Sequence, residues 1–517
     1  MKATKYSLGV LALALSILSS CTEKFLAEAP VDQITDANFY QTETDAIQAT
    51  NAAYSELTKE GQYNAAKWAF DIWSDVSSSG GDSGNDAIEY KQLEAYTIPT
   101  TNFIATRLWG GSFVAIQRAN LVLQKVPLIT NINADIQKRC LGEALFLRGM
   151  LYFDLVRAYG DVPLFTTPPA SPAAVNIPRT PAAQVYAQIE KDLADAFNNL
   201  PASYSGADLG RATKWAAAGM LAKVYITEGK KTEAATWARQ VINNSGKTMW
   251  ANYGDNFVVA NENNNAKESL FEVQYVNGRN QYDRNNVGSA MNEFFGPRGL
   301  NQTPGSGYGF NVPDPDFVAG YETGDTRRAV SVWVPGDVFP DGSKDPNGPI
   351  TGSPYAYFCK KWFVGKVNTN IWDSPLNVPV LRLAEMYLIV AEAVGPTAEG
   401  LEAINKVRRR AFGLNYNTPS TAVDLTTSTA NFTNAVLRER KYELAFEFDR
   451  WFDMKRAQTL YPTLTDHALI PRMTAQAAFL QGKLPNVHGI PTQNTLVLPI
   501  PQSEIDTNPG LVQNPGY

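Results

Sequence analysis

The stretch TKWAAAGMLAKVYITEGKKTEAATWARQVIN, residues 213–243, reads as two amphipathic helices, 213–228 and 232–243, joined by a turn at Gly229-Lys230-Lys231. Apolar positions recur at three and four, as one buried helical face requires. Leu221-Ala222, Tyr225 and Ala234 fall in the register of a tetratricopeptide hairpin, a large residue followed by a small one, then an aromatic, then Ala on the second helix. The small residues let two antiparallel helices approach closely, and the large ones fill the space between successive pairs. Val390-Ala391, Val394 and Ala403 repeat that register.

Outward from this hairpin the same periodicity predicts helices over 44–59, 112–125, 134–159, 181–199, 380–394, 398–412 and 431–458. Thr180-Pro181 supplies an N-cap followed by proline at the first helical position. Between about residues 250 and 379 the helices pause. That segment is rich in Gly, Pro, Asn and aromatic residues, with strand-like pieces at 269–276 and 329–334. Residues 496–517 read as a proline-punctuated extended tail. The fold class is therefore mainly α: a tetratricopeptide-like helical scaffold with an irregular, short-strand insertion.

The chain has 517 residues and ample apolar material, 44% hydrophobic, which excludes a mainly disordered protein. Its net charge of −6 argues against a surface that neutralises nucleic-acid phosphates. The two histidines, His467 and His488, are too few for a multi-histidine metal site and make histidine acid–base chemistry a poor fit. At the N-terminus, Lys2 and Lys5 precede an apolar run from Leu8 to Leu18, too short to span a bilayer of about 30 Å. Leu18-Ser19-Ser20-Cys21 follows and resembles a bacterial lipobox. Residues 1–20 are then a signal peptide, and Cys21 is the lipidation site that anchors the chain to a membrane. Cys140 and Cys359 have no signature spacing; they are open to pairing but are expected to stay separate buried thiols.

The ordered blocks along the chain resemble the SusD/RagB family of outer-membrane lipoproteins. Phe25-Leu26 and Pro30 follow the lipidated cysteine. The run Ala144 to Arg148, Tyr152 to Arg157 and Tyr159 to Leu164 comes next, then Arg382 to Met386 with Ala391-Glu392-Ala393, and Asn405 to Ala411. Glu439-Arg440, Glu443 to Glu447 and Arg450 to Arg456 match the family's signature helix, and Leu498 to Pro501 with Gln513 to Tyr517 match its ending. The resemblance implies an N-terminal helical region over 21–249, an insertion over 250–379 that builds the ligand face, and a C-terminal region over 380–517. It also implies a non-catalytic lid that captures an oligosaccharide, or in some members a peptide, for a SusC-like TonB-dependent transporter. The implied location is the outer membrane, facing outward through the lipid anchor.

Chemistry-bearing motifs are weaker. Gly81-Asp82-Ser83-Gly84 looks like a serine-protease nucleophile segment, but no histidine lies upstream of it. Gly246-Lys247-Thr248 echoes the end of a phosphate loop, with Val241 where its first glycine belongs. Asp341, Ser343, Asp345 and Asn347 alternate like calcium ligands, yet Pro346 and Gly352 stand where such a loop wants Gly and Glu. A polar turn is expected there; no cofactor is required, and a structural calcium ion stays open. Glu439, Glu443 and Glu447 form a row at i, i+4 and i+8. It reads as a structural ion network neutralised by Arg440, Arg450, Arg456 and Arg408 to Arg410, with a catalytic pair as the alternative. Sugar recognition wants flat aromatic platforms with amides and carboxylates at the rim. The candidates are Trp73, Asp75, Asp82, Asn85 and Asp86 in the first polar loop, and Tyr275, Tyr282, Trp333, Tyr355, Trp362 and Trp372 in the insertion.

Overall fold

Local side-chain capping starts six of the helices. The computed structural model describes residues 39–81, 86–278, 288–298, 307–338, 355–365, 373–428, 431–481 and 489–517. The signal peptide, Cys21, Asp82, Asn85, Tyr282, Trp372 and the calcium-like loop lie outside the described residues. Thr42 and Asp45 form a reciprocal capping box at the start of α1 (Glu43–Tyr54). After α2 (Ile88–Glu94), Asn102 caps α3 (Phe103–Lys125) and Asn133 caps α4 (Ala134–Tyr159). The next helix, α5 (Ala182–Asn199), begins one residue after Pro181, and Asp161 Oδ1 accepts the Ala182 N–H at 2.8 Å in place of the expected Thr180 cap. Thr213 caps α6 (Lys214–Glu228), and Gly229 in the left-handed region turns the chain into α7 (Lys231–Asn244). The hairpin at residues 213–243 stands as the sequence predicts, and Gly246 follows a helix end.

Helices α3 to α7 pack in sequence, each on the next. Close approach is built in at Gly142 and Gly149 of α4: a Cβ at Gly142 would stand 2.9 Å from Asn199 and Leu200, and one at Gly149 would stand 3.0 Å from Leu193. The order is then interrupted. The chain leaves α7, runs through α8 (Met291–Phe295) and shorter turns, and returns as α9 (Leu383–Val394), which packs directly on α7. Thr397 caps α10 (Ala398–Ala411), the partner of α9. An antiparallel ribbon closes the interruption, and the strands supply its labels: β1 (Ser77–Gly80), β2 (Ser269–Val273), β3 (Phe310–Pro313), β4 (Val332–Trp333), β5 (Phe358–Cys359) and β6 (Val378–Arg382). In that ribbon β2 pairs with β6, Ser269 opposite Arg382 and Val273 opposite Val378. The other ribbons are β1 with β3, which joins the N-terminal loop region to the insertion, and β4 with β5, which lies within the insertion.

Several expectations shift. Helix α3 begins well before Ser112, because Gly110-Gly111 does not break it; Gly111 instead admits Gly61, whose Cα would lie 2.9 Å from an added Cβ. The region 431–458 is two helices, α11 (Phe432–Glu443) and α12 (Arg450–Leu460). The break holds Phe446 and Phe448 at positive φ, and distant side chains satisfy its backbone. Trp362 Nε1 donates to the Phe446 carbonyl at 3.0 Å, Arg382 donates to the Glu443 carbonyl at 2.9 Å, and Asp71 accepts the Phe448 N–H at 3.2 Å. Residues 380–382 are strand, and a helical turn at Arg327–Ser331 takes the first half of the 329–334 strand, leaving β4. After α13 (Leu469–Gln481), the tail contains α14 (Gln502–Thr507) and is tied to the end of α4, Leu498 N–H to the Ala158 carbonyl at 2.8 Å. Cys140 and Cys359 are separate, buried, free thiols.

Candidate functional site

The structure places the first sequence candidates in the interior, a correction to their reading as ligand platforms. Trp73 has no exposed surface and stacks on Trp451 with ring centroids 4.0 Å apart and planes 7° from parallel, leaving no face for a ligand. Asp75 is equally buried, and its carboxylate accepts from Lys441 at 2.8 Å, Arg450 at 2.7 Å and Arg472 at 2.6 Å. Burial alone would raise its pKa; Arg450, Lys441 and Arg472 hold it well below the usual carboxylate range instead. Tyr275 is buried behind the β2–β6 ribbon, its N–H bonded to Asn377. Trp333 is buried against Phe363, with Lys360 Nζ 4.1 Å over its ring. Trp362 is core, stacked on Phe448.

The carboxylate row is a buried ion network. Glu439 pairs with Arg327 at 2.6 Å and Arg408 at 3.0 Å; Glu443 pairs with Arg410 at 2.6 Å and Arg382 at 2.7 Å; Glu447 pairs with Arg382 at 2.8 Å and Lys361 at 2.9 Å. Arg327, Lys361 and Arg382 come from the insertion and its closing strand, and the sequence reading missed them. Arg440 and Arg456 turn instead to Glu385, Glu392 and Asp453, and Arg450 to Asp75. Among the described residues, no cluster of three or more metal-ligating side chains occurs.

The two loop regions singled out in the sequence do meet, but through other residues. The short helical segments Ala66–Trp68 and Ala69–Ile72 set Trp68 facing α8, with its indole N–H donating to the Tyr63 carbonyl at 2.7 Å. Its ring lies 5.2 Å from Phe294, which in turn lies 5.0 Å from Tyr308 and 5.8 Å from Phe310. Tyr90 of α2 closes the row at 6.4 Å from Phe310. These rings line a cavity of about 320 Å³, with Trp68, Tyr90, Phe294 and Phe310 as its nearly buried floor and half-buried Tyr308 as its open wall. Its mouth carries Asp86, Glu89, Phe103 and Arg107. Arg298 and Asp86 pair at 2.8 Å on one rim, and Arg107 pairs with Glu60 on the other while covering the Phe103 ring at 3.5 Å.

Backbone geometry fixes this cleft. Strand β1 pairs with β3, Gly80 opposite Phe310, and a Cβ at Gly80 would collide with the Gly309 carbonyl. Asn64 clamps the far side, donating to the Gly288 carbonyl at 3.0 Å and accepting the Ala290 N–H at 2.8 Å. Phe294, Tyr308 and Phe310 were missed as individuals. Their signal was aromatic residues beside turn glycines, in Phe294-Phe295-Gly296-Pro297 and Tyr308-Gly309-Phe310. An apolar, ring-lined concavity with a polar rim is the arrangement that holds an amphipathic ligand with flat apolar faces.

Residues 267–517 match the profile described as SusD family, and residues 24–226 match one described as "Starch-binding associating with outer membrane". A SusD-like protein of Bacteroides ovatus is 30% identical over 490 residues, 87% of this chain and 82% of the relative. The chain belongs to the SusD family. SusD-like protein P2 of Formosa agariphila is 27% identical over 99% of this chain and all of its own length. Among solved structures, a laminarin binding SusD-like protein superposes with a TM-score of 0.76 at 28% identity, covering 92% of this chain and 100% of its own. A SusD homolog from Bacteroides thetaiotaomicron, at 24% identity, gives a TM-score of 0.78 over 94% of this chain and 99% of its own, a likeness of fold. The ring-lined cleft in this SusD-family chain therefore sits where its N-terminal loops meet the insertion, on a helical scaffold shared with those structures.

Proposed function

We propose that the chain is a non-catalytic, cell-surface binding lipoprotein that captures oligosaccharides and passes them to a SusC-like TonB-dependent outer-membrane transporter. The observation that carries this reading is the cleft of Trp68, Phe294, Tyr308, Phe310 and Tyr90 in a SusD-family chain. Sugar rings stack their C–H faces on aromatic rings and bond their hydroxyl edges to rim carboxylates and amides. The laminarin-binding relative supports a glycan ligand. At the rim Asp86 is paired with Arg298 and Arg107 with Glu60, which leaves the Glu89 carboxylate to accept sugar hydroxyls and suits a neutral sugar. Glu439, Glu443 and Glu447 are spent on buried ion pairs, which supports binding without hydrolysis. Among the described residues no helix is long and apolar enough to cross a membrane; in this reading the attachment is the lipid on Cys21, with the chain facing the exterior.

The test is calorimetry of the full chain in detergent against neutral glycans, laminarin first, alongside mixed peptides, with product analysis after long incubation. Binding to one glycan class without released product supports the reading. Binding to peptides alone overturns the sugar assignment, and product release overturns the non-catalytic one. Co-purification with a TonB-dependent barrel from the native outer membrane tests the delivery step.

A further inference from the structure

Beside the cleft, along the same helix, runs a groove that no described residue fills. It has a volume of about 690 Å³ and lies between α3, the loop 163–176 and α14. Phe113 and Phe165, both half-buried, meet edge to face in its wall with centroids 6.1 Å apart. Val114 and Val175 border it at 46% exposure each, well beyond what an intramolecular core leaves open.

Gly110 sits at the edge of this groove in mid-helix. Glycine there costs about 1 kcal/mol relative to alanine. Its neighbour Gly111 is explained by Gly61, but a Cβ on Gly110 would meet nothing within 4 Å. The missing side chain keeps space open, not a contact tight. The polar side chains of Gln117, Ser171, Asn176 and Glu504 also line the groove, and none of them bonds to another described residue. Arg118 is already committed to Glu56 at 2.6 Å and to the Ala52 carbonyl at 2.7 Å. What stays available is two amides, a hydroxyl and one carboxylate over aromatic walls. That set bonds a neutral polyol well and repels an anionic sugar.

The groove and the cleft share α3. Phe103 and Arg107 stand at the mouth of the cleft, and Gly110 and Val114 line the groove, at i, i+4, i+7 and i+11 on one helical face. Arg107 and Gly110 are about 4.5 Å apart along the helix axis. We infer that the groove is a second sugar-binding subsite, so that one long neutral glycan occupies the cleft and the groove together. This inference rests on the glycan-binding reading above.

The test compares the native full chain with Gly110→Met and Tyr308→Ala by calorimetry on short and long oligomers of neutral glucans, mannans and xylans. Methionine at 110 enters open space on a better helix former, so its melting temperature should equal or exceed that of the native chain. Gly110→Met should leave short-chain affinity intact and lower long-chain affinity about 10-fold, because the second contact adds by effective concentration. Tyr308→Ala should lower short-chain affinity about 5- to 150-fold, while long chains, held also by the groove, keep tighter binding than short ones. Unchanged long-chain affinity in Gly110→Met overturns the groove assignment while sparing the cleft. Apolar peptides that bind native chain but not Gly110→Met, with no glycan effect, also overturn it and make the groove a protein-docking surface. Silence of the native chain toward every glycan overturns the underlying reading instead.

Discussion

Arg382 and Glu443 meet at 2.7 Å in a place where neither side chain has any exposed surface. Arg382 closes the β2–β6 ribbon, and Glu443 ends α11, so this contact ties the insertion to the C-terminal helices. The same guanidinium also reaches Glu268 at 2.8 Å and Glu447 at 2.8 Å. Removing one partner from a buried pair leaves an uncompensated charge, which costs about 3–5 kcal/mol. Arg382→Met is expected to lower stability by at least that amount, because three carboxylates lose their shared cation. Urea denaturation with an unchanged slope would report it. A loss under about 1 kcal/mol would mean Arg410 and Lys361 suffice to neutralise the cluster, against this account.

The same cluster sets an acid limit. Burial would raise the Glu443 carboxyl, but Arg410, Arg382 and Arg327 draw it down to about 2. An unfolded glutamate titrates near about 4.3, so between about pH 4.3 and about pH 2 the unfolded chain binds more protons than the folded one. The stability Glu443 contributes is complete above that window and lost as pH falls through it. Glu443→Gln should therefore be less stable than the native chain at neutral pH, and the gap should narrow on acidification. Denaturation midpoints at pH 7 and pH 3 measure this; a constant gap would exclude Glu443 as the titrating group.

For the cleft, Tyr308 and Phe294 are the informative positions. Tyr308→Ala removes a half-buried ring from the wall and should reduce glycan affinity by about 1–3 kcal/mol of stacking and packing, with little change in melting temperature. Trp73→Ala should do the reverse. It empties a fully buried site against Trp451 and should cost about 3–5 kcal/mol of stability, with binding retained by whatever fraction stays folded. Calorimetry and thermal melts on both variants separate the two roles. A Trp73→Ala chain that melts like the native one but loses glycan would return Trp73 to the site.

What the sequence showed and concealed divides along the range of the interactions. Helix starts at Thr42, Asn133, Thr213 and Thr397 rest on side chains bonding within a few residues, and the hairpin at 213–243 rests on its own periodicity. These were legible. The break after Glu443 was not, because the groups that satisfy its backbone are Trp362, Arg382 and Asp71, all distant in sequence. Trp73 and Asp75 look like loop residues beside a Gly-Ser stretch; their depth is set by Trp451 and by Arg450, far along the chain. The cleft was legible only as two regions. Its actual lining depends on β1 pairing with β3, a non-local register that no short motif announces.

Asp71 carries the final prediction. It has no exposed surface; one carboxylate oxygen accepts the Phe448 N–H at 3.2 Å and the other accepts from Asn311 Nδ2 at 3.1 Å. Burial pushes its pKa up to about 7, with Glu447 adding to the rise and Asn311, Lys361 and the Phe448 N–H opposing it. An unfolded aspartate titrates near about 3.9, so from about pH 4 to about pH 7 the folded chain binds more protons than the unfolded one. For this group stability falls as pH rises through that window and is level above it, the opposite sign to Glu443. Asp71→Asn keeps the shape and cannot ionise. Relative to the native chain it should gain stability as pH is raised from 5 to 8, whatever its offset at pH 5. The difference in urea midpoint between variant and native, taken at both values, reads the effect directly. A difference that stays constant across the window would mean Asp71 is already charged at pH 5, held down by Lys361 after all.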